Sequence, residues 1–190
     1  CVTRVIDGFA TVMADINNLV RDLFSEHNLD INEIKSIGFG VPSFINKKGL
    51  VTCVNLGWKA VNFIEAIKNR FPEVSVYAEN DATVAAIAEA KFGSMKDKDV
   101  MYTLGTGVGG GIIINERPFT GTHGMASEIG HSIIGENYYN CNCGANGCLE
   151  TFCSATAIIK YAQKLIQEGD ESIILDMAYG NIENINAKMV

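Results

Sequence analysis

The sequence predicts an α/β fold whose sheets contain both parallel and antiparallel strand pairs. Short apolar runs with strand character alternate along the chain with segments whose apolar residues recur at the 3.6-residue helical period. Tight turns between neighbouring runs predict hairpins, so the sheets should be mixed rather than purely parallel. Apolar residues make up 47% of the chain and charged residues 19%, which supplies enough apolar surface for a packed core.

The first half of the chain is predicted to contain three helices and three strands. Apolar residues at steps of three and one indicate the first helix, and Pro42 and Pro72 end a strand and a helix. A turn over 46–49 separates two strands, which are therefore predicted to form a hairpin. Gly93 is predicted to close the third helix as a C′ glycine. The elements are a helix over 9–24, strands over 34–41 and 50–54, a helix over 63–71, a strand over 74–79 and a helix over 81–92.

A polar, charged segment over 94–99 is predicted to be a surface connection between two domains, 1–95 and 96–190. No clear period is found over 115–147, where glycine, polar residues and cysteine dominate. Ser154 is predicted to be the N-cap of a late helix. The elements of this half are a strand over 100–104, a turn over 105–111, a strand over 112–114 and helices over 154–166 and 171–179.

The charge balance restricts the partners of the chain. Fifteen Lys and Arg residues against 22 Asp and Glu residues give a formal net charge of −7. A nucleic-acid or acidic-membrane binder would need a basic face, so neither partner is expected for these residues. No run approaches eighteen apolar residues, and no basic region followed by an apolar block opens the chain, which begins at Cys1. We therefore expect no spanning helix and no signal peptide.

One histidine and three cysteines have the spacing of a tetrahedral metal site, H-x9-C-x-C-x4-C: His131, Cys141, Cys143 and Cys148. Imidazole and thiolate are ligands that Zn²⁺ prefers, and four protein ligands make the zinc structural because they leave no position for water. Gly144 and Gly147 allow the backbone to turn sharply between the cysteines. Free buried thiols, or a disulfide between two of them, are the alternative. The clustering in an acidic chain favours a metal in a reducing, cytoplasmic compartment.

A glycine-rich turn lies between two apolar strands, with five glycines among the seven residues 105–111. Glycines let backbone N–H groups approach an anion closely, and a threonine hydroxyl adds a donor. The Walker pattern is absent, and a strand rather than a helix follows, which excludes a Rossmann crossover. A phosphate-cradling hairpin and a plain glycine-rich hairpin both remain open on this evidence.

Carboxylates at two places are candidates for chemistry. Asp81 lies where a strand ends and a helix begins, so it is placed to act as a general base or to cap the helix, and local sequence favours the cap. Glu128, His131 and Glu150 flank the cysteine cluster, and such side chains suit the recognition of polyol hydroxyls. A solvated polar face is their alternative role.

Taken together, these motifs resemble those of the ROK family (repressors, open reading frames and sugar kinases). The resemblance covers essentially the whole chain. It rests on the Gly38-x-Gly40-x-Pro42 turn, Glu79-Asn80-Asp81-Ala82, the Gly105–Gly110 loop, Gly121-x-x-Gly124-x-Ala126-x-Glu128-Ile129-Gly130-His131 and Cys141-x-Cys143-Gly144-x-x-Gly147-Cys148-Leu149-Glu150. The run Glu150-Thr151-x-x-Ser154-Ala155-Thr156-Ala157 is similar to the glucokinase branch.

The resemblance implies an actin-like ATPase (ribonuclease H-like) fold with two α/β domains around a cleft, and transfer of phosphate from ATP with Mg²⁺ to the 6-hydroxyl of a hexose. It implies Asp81 as the catalytic base, and this context favours the base over the cap. It also implies a homodimer or homotetramer in the full-length protein, with glucose as the expected sugar. The implied sugar-binding residues are Asn80, Asp81, Glu128, His131 and Glu150. The implied zinc ligands are His131, Cys141, Cys143 and Cys148. The residues implied to line the ATP phosphates are Gly105, Thr106, Gly107 and Gly109.

Departures from the family pattern accompany these matches. Ser43 and Ser127 stand where the family usually has glycine, which puts the fine sugar specificity in doubt. The Asp-x-Gly-Gly-Thr phosphate motif of the family does not precede Cys1, and the C-terminal helices do not follow Val190. We therefore expect a fold incomplete at both ends and a fragment inactive alone. A sugar-sensing repressor, with its DNA-binding part outside this chain, is the alternative function.

Overall fold

The computed structural model of the chain describes residues 7–43, 45–46, 48–53 and 56–190. Lys47 in the predicted turn, Val54 at the end of a predicted strand and Cys1 lie outside the described residues. The helices are α1 (Gly8–Glu26), α2 (Phe63–Lys68), α3 (Asp81–Phe92), α4 (Glu150–Cys153), α5 (Ala155–Gln167) and α6 (Ile173–Met177). The strands are β1 (Ser36–Val41), β2 (Leu50–Cys53), β3 (Trp58–Asn62), β4 (Ser75–Asn80), β5 (Val100–Leu104), β6 (Val108–Ile114) and β7 (Arg117–Pro118).

The strand pairs are mixed, as the sequence predicts, but one predicted pairing is wrong. β1 pairs in parallel with β4, from Ser36 opposite Ser75 to Val41 opposite Asn80. The hairpin predicted between the strands over 34–41 and 50–54 is therefore not formed in the described residues. β2 pairs instead with β3 in antiparallel fashion. The strand β3 was not predicted. It is mostly exposed and Ala60 has a φ of 50°, so apolar and polar residues do not alternate regularly along it.

The first apolar core lies between α1, α2 and the strands β1 to β4. Val12 and Met13 are the buried residues of α1, which confirms the predicted helix and its apolar face. Trp58 stacks on Phe63 with ring centroids 6.1 Å apart, and Phe9 meets the Trp58 ring edge-on at 5.0 Å. The predicted helix over 63–71 is shorter than expected, because α2 ends at Lys68.

Helix α3 connects this core to the second half of the chain, and its two ends differ from prediction. Asn80, not Asp81, is the N-cap: its side-chain oxygen accepts from the Thr83 N–H at 3.0 Å. Gly93 is not a left-handed C′ glycine, since its φ is −109°. A Cβ on Gly93 would overlap the Glu89 carboxylate, which accepts from the Ser94 N–H at 3.0 Å. Space for that carboxylate, rather than a left-handed turn, accounts for the glycine.

The second sheet has the strand order β5-β6-β7 and is antiparallel. The turn predicted over 105–111 is shorter, because β6 begins at Val108 and contains the last three glycines of the run. A Cβ on Gly111 would overlap Ala86 of α3, and one on Gly110 would overlap Ile129. Close packing on both faces of β6 therefore requires glycine there.

The first of the two predicted late helices starts where the sequence predicts. Ser154 caps α5, because its Oγ accepts from the Ala157 N–H at 3.0 Å. The helix predicted over 171–179 is α6, which is shorter, and α4 was not predicted. Among the described residues, no helix combines the length and apolar character that a bilayer crossing requires. The division of the chain near residues 94–99 stays a prediction.

Candidate sugar and phosphate cleft

A cleft of about 430 Å³ opens between the end of β4, the β5–β6 turn and the loop that follows β7. All five residues predicted to bind sugar line it: Asn80, Asp81, Glu128, His131 and Glu150. Three of the four predicted phosphate-loop residues also line it: Gly105, Gly107 and Gly109. Thr106 is not part of the lining. Pro42, Ser43 and Ser127 line the cleft as well, although no role was predicted for them.

Asp81 reaches the cleft because β4 ends immediately before it, at the carboxyl edge of the parallel β1–β4 pair. Its Oδ1 accepts from the Ala82 N–H at 2.8 Å. Within the described part of the chain, its Oδ2 has no hydrogen-bond partner. Since Asn80 supplies the helix cap, one oxygen of the exposed Asp81 carboxylate is available to a ligand.

The oxygen and the nitrogen of the Asn80 side-chain amide each make a hydrogen bond. Its Oδ1 caps α3, and its Nδ2 donates to the Ser43 carbonyl at 3.4 Å. One amide hydrogen is left for a ligand. Ser43 thus contributes to the cleft by orienting Asn80 through its backbone.

Glu128 precedes a 3-10 turn, Ile129–His131, which ends in His131 and lies against the start of β6. A Cβ on Gly130 would overlap the Val108 carbonyl oxygen, so glycine allows this close approach. His131 Nε2 lies 3.7 Å from Glu128 Oε2. Burial raises the pKa of Glu128, the nearby charges of Asp81 and Glu150 raise it further, and His131 opposes them. Four ionisable groups therefore meet in the cleft.

The predicted metal ligands are brought together. One ligand atom from each of His131, Cys141, Cys143 and Cys148 lies within 4.8 Å of all the others. Cys143 Sγ and Cys148 Sγ are 3.6 Å apart, and Cys141 Sγ is 3.5 Å from His131 Nδ1. Ordinary Zn–S and Zn–N bonds at tetrahedral angles place such pairs about 3.8 and 3.6 Å apart. The donor set and its spacing therefore fit a tetrahedral zinc ion.

The backbone of the cysteine loop turns where the sequence predicts. Gly144 and Gly147 have φ values of 94° and 85°, which only glycine adopts without strain. The side chain of Asn137 ties the loop to α4, because its Nδ2 donates to the Thr151 carbonyl at 2.8 Å. Asn146 holds Asn137 in turn, because its Oδ1 accepts a hydrogen bond from the Asn137 N–H at 2.8 Å. The sequence analysis missed both asparagines, since isolated amides in an aperiodic segment carry no motif.

The turn over 105–107 is attached to α4 and α5 by three hydrogen bonds. Ala155 N–H donates to the Gly105 carbonyl at 2.8 Å, and Thr156 Oγ1 donates to the Thr106 carbonyl at 2.6 Å. Val108 N–H donates to Glu150 Oε2 at 2.8 Å. Within the described residues, the N–H groups of Thr106 and Gly107 have no partner. Two backbone donors at this turn are therefore available to an anion.

The chain is similar to proteins of one family. The ROK family profile matches residues 8–188. A glucokinase of Halalkalibacterium halodurans is 36% identical over 175 residues, which cover 90% of this chain and 53% of that protein. A xylose repressor of Caldicellulosiruptor bescii is 34% identical over 161 residues, which cover 83% of this chain and 40% of the repressor.

A solved structure agrees with these relatives. The ROK family glucokinase of Streptomyces griseus, in complex with glucose and AMPPNP, matches with a TM-score of 0.74 and 28% identity over 93% of this chain and 58% of that one. The predicted α/β fold of actin-like type is confirmed by such neighbours. The chain spans about half the length of the glucokinase relatives it matches. On the profile match and these relatives, the chain belongs to the ROK family.

Proposed function

We propose that this chain carries the sugar site and one phosphate loop of an ATP-dependent hexose kinase of the glucokinase type. The observation that carries the proposal is the single cleft in which the carboxylate of Asp81 faces the Glu128–His131 turn and the glycine turn. The glucokinase names of its relatives, and the glucose and AMPPNP in one related structure, support the same reaction class. Residues that bind a polyol and residues that suit an anion then meet at one place.

Asp81 is the proposed general base for the sugar 6-hydroxyl. Its Oδ2 is free to accept the proton, while the bond from Ala82 N–H to Oδ1 fixes the carboxylate at the start of α3. Phosphoryl transfer needs an aligned hydroxyl and a proton acceptor more than covalent help from the protein. The bond between phosphorus and the sugar oxygen forms as the bond to the leaving ADP breaks, and the hydroxyl proton passes to Asp81.

The remaining polar residues are proposed to bind the other sugar hydroxyls. Glu128 and Glu150 accept hydrogen bonds, whereas the spare Asn80 amide hydrogen donates. His131 would use Nδ1 for the metal, which lies on the cysteine side, and Nε2 for Glu128 or the sugar. A zinc ion would supply a structural cross-link that holds His131 and Glu150 in one unit.

The glycine turn is proposed to hold the ATP phosphates through the N–H groups of Thr106 and Gly107, with Mg²⁺ neutralising phosphate charge. Thr106 would act through its backbone, since its carbonyl is engaged by Thr156. The cytoplasmic location and the dimeric or tetrameric assembly that the family implies stay predictions.

A sugar-sensing repressor is the second candidate. Xylose repressors are among the relatives, and a ROK family transcriptional regulator matches with a TM-score of 0.72 and 29% identity. A repressor would bind sugar in the same cleft without transferring phosphate. Within the described residues, Asp81 Oδ2 and the N–H groups of Thr106 and Gly107 have no partner, which favours the kinase because sugar sensing alone requires neither a proton acceptor nor phosphate donors.

The test is hexose-dependent release of ADP by the intact protein. We expect turnover with a hexose, and a loss of about a hundredfold or more in kcat for Asp81→Asn. Asp97→Asn is the matched control, because Asp97 is exposed on the 94–99 connection and its φ of 62° suits asparagine. Sugar binding without ADP release in the wild-type protein would favour the repressor. A fully active Asp81→Asn variant would contradict the assignment of Asp81 as the general base.

A further inference from the structure

We propose that Glu150 is a positioning residue for the glycine turn, and that it links the sugar half of the cleft to the phosphate half. This inference rests on the proposed kinase function for its catalytic consequence. The contact itself is independent of that function, since it joins a side chain of α4 to a backbone amide at the start of β6.

The contact is short and partly shielded from solvent. Val108 N–H donates to Glu150 Oε2 at 2.8 Å. Val108 is only 6% exposed and is the first residue after the turn. A hydrogen bond to a charged acceptor is stronger than one between neutral groups, and limited solvent access preserves that strength. Glu150 therefore restrains the residue that ends the turn.

Gly107 reveals how tightly the carboxylate fits against the turn. A Cβ on Gly107 would overlap Glu150 Oε2 and approach its carboxyl carbon to 3.1 Å. The φ of Gly107 lies outside the left-handed region, so its backbone does not require glycine. Gly105, in the same turn, has open space where a Cβ would be. A Cβ at 107 would therefore require the Glu150 carboxylate to move, whereas a Cβ at 105 would not.

The second oxygen of the same carboxylate, Oε1, faces the cysteine loop. Glu150 Oε1 lies 3.8 Å from Cys141 Sγ, and Glu150 lines the cleft beside His131. One carboxylate thus touches the glycine turn, the predicted metal loop and the sugar cavity. Lone pairs not used by Val108 remain for a sugar hydroxyl.

Two other hydrogen bonds hold the turn but do not connect it to the sugar half of the cleft. Ala155 N–H and Thr156 Oγ1 bond to the Gly105 and Thr106 carbonyls, and neither residue lines the cleft. Among the described residues, Glu150 is the one hydrogen-bond partner from another element that both holds the turn and lines the cleft. A sugar hydroxyl that fixes Glu150 would also fix Val108 and the turn, so sugar and nucleotide should each raise the affinity for the other.

Amide hydrogen exchange of the chain, followed by NMR, tests the contact without reference to catalysis. We expect the Val108 amide to exchange about tenfold faster or more in Glu150→Ala. Glu150→Gln, which keeps an acceptor, should lie between that variant and wild type. Ile113 N–H, bonded to the Asp99 carbonyl at 2.7 Å at the far end of β6, is the internal reference and should not change.

Gly107→Ala examines the same contact from the other side. Its Cβ should displace the carboxylate and release Val108, whereas Gly105→Ala should leave Val108 exchange unchanged. Equal Val108 exchange in wild type and Glu150→Ala would overturn the proposal. Equal acceleration at Val108 and Ile113 would also overturn it, because the effect would then be a general loss of stability.

Kinetics of the intact protein separate this proposal from the proposed function. We expect Glu150→Gln to raise KM for ATP as well as for the hexose, and Glu128→Gln to raise only KM for the hexose. A Glu150→Gln variant with a changed hexose KM and an unchanged ATP KM would contradict the link but not the kinase. Absence of phosphorylation in the wild-type protein would contradict the kinase, while the exchange data would still decide the contact.

Discussion

Thr83 Oγ1 and Ser127 Oγ lie 3.1 Å apart and form a buried hydrogen bond between α3 and the loop before Glu128. Thr83 is 1% exposed and Ser127 is 7% exposed. Asp81 begins the helix on one side of this bond, and Glu128 follows it on the other. The bond therefore restrains the separation of these two acidic groups, which both line the cleft.

We expect Thr83→Val and Ser127→Ala each to lower the free energy of unfolding by about 1–3 kcal/mol, because each leaves the other buried hydroxyl without a hydrogen-bond partner. The double variant should lose less than the sum, since no hydroxyl is then left unpaired. Denaturant unfolding of the four proteins measures the coupling. Strictly additive losses would mean that the two hydroxyls do not bond.

The cap of α3 distinguishes Asn80 from its neighbour. Asn80→Ala should lower the free energy of unfolding by about 1 kcal/mol, because the Thr83 N–H loses its acceptor. Asn80→Asp keeps a capping oxygen and should restore most of that stability. Asp81→Ala removes any capping oxygen at 81 and should cost less than Asn80→Ala, since Asp81 is the first residue of the helix rather than its cap and is exposed. Thermal unfolding of the three variants checks the ranking, and a larger loss for Asp81→Ala than for Asn80→Ala would return the cap to Asp81.

The packing of Gly130 against Val108 can be tested by adding one methyl group. Gly130→Ala should cost about 1–3 kcal/mol or more, because its Cβ would meet a backbone carbonyl that cannot rotate away. Gly38→Ala in β1 is the control: no atom lies within 4 Å of a Cβ there. Denaturant midpoints measure both. Equal stability of the two variants would contradict the close approach of the Glu128–His131 turn to β6.

The four-ligand cluster should hold about one equivalent of zinc in gently purified protein. Cys143→Ser should lose the metal, because an alcohol does not replace a thiolate ligand. Cys153→Ser is the matched control, since Cys153 Sγ contacts the Leu149 carbonyl and lies outside the ligand set. Metal analysis by mass spectrometry gives the content. Less than about half an equivalent in the wild-type protein would count against the site.

Removal of the metal should act locally. A chelator is expected to increase amide exchange over 131–148, while the α1 core around Val12 and Met13 keeps its protection. The reason is that the core of the first half is apolar and complete without the loop. Loss of protection in α1 at the same chelator concentration would mean that the metal supports the whole fold.

Local pattern was sufficient for the longer helices and for ligands that lie close in sequence. The period of α1, the serine cap of α5 and the spacing of His131 with the three cysteines are all short-range properties. Pairing of β1 with β4 is long-range, and nothing in the 46–49 turn reveals it. The local sequence favoured Asp81 as the cap of α3, and the structure places the cap at Asn80 because only the backbone selects between two adjacent residues that can both cap.

By itself, the sequence determined the fold class, the family and five polar residues that line the cleft, Asn80, Asp81, Glu128, His131 and Glu150, because these depend on residue types at fixed spacings. Only the tertiary structure decided which atoms of those residues are free. Within the part of the chain that the structure describes, Asp81 Oδ2 has no partner, Glu150 Oε2 accepts from Val108 and Thr83 is bonded to Ser127. The physical reason is that a hydrogen bond between residues far apart in sequence depends on how helices and strands pack, and that packing is a property of the whole chain.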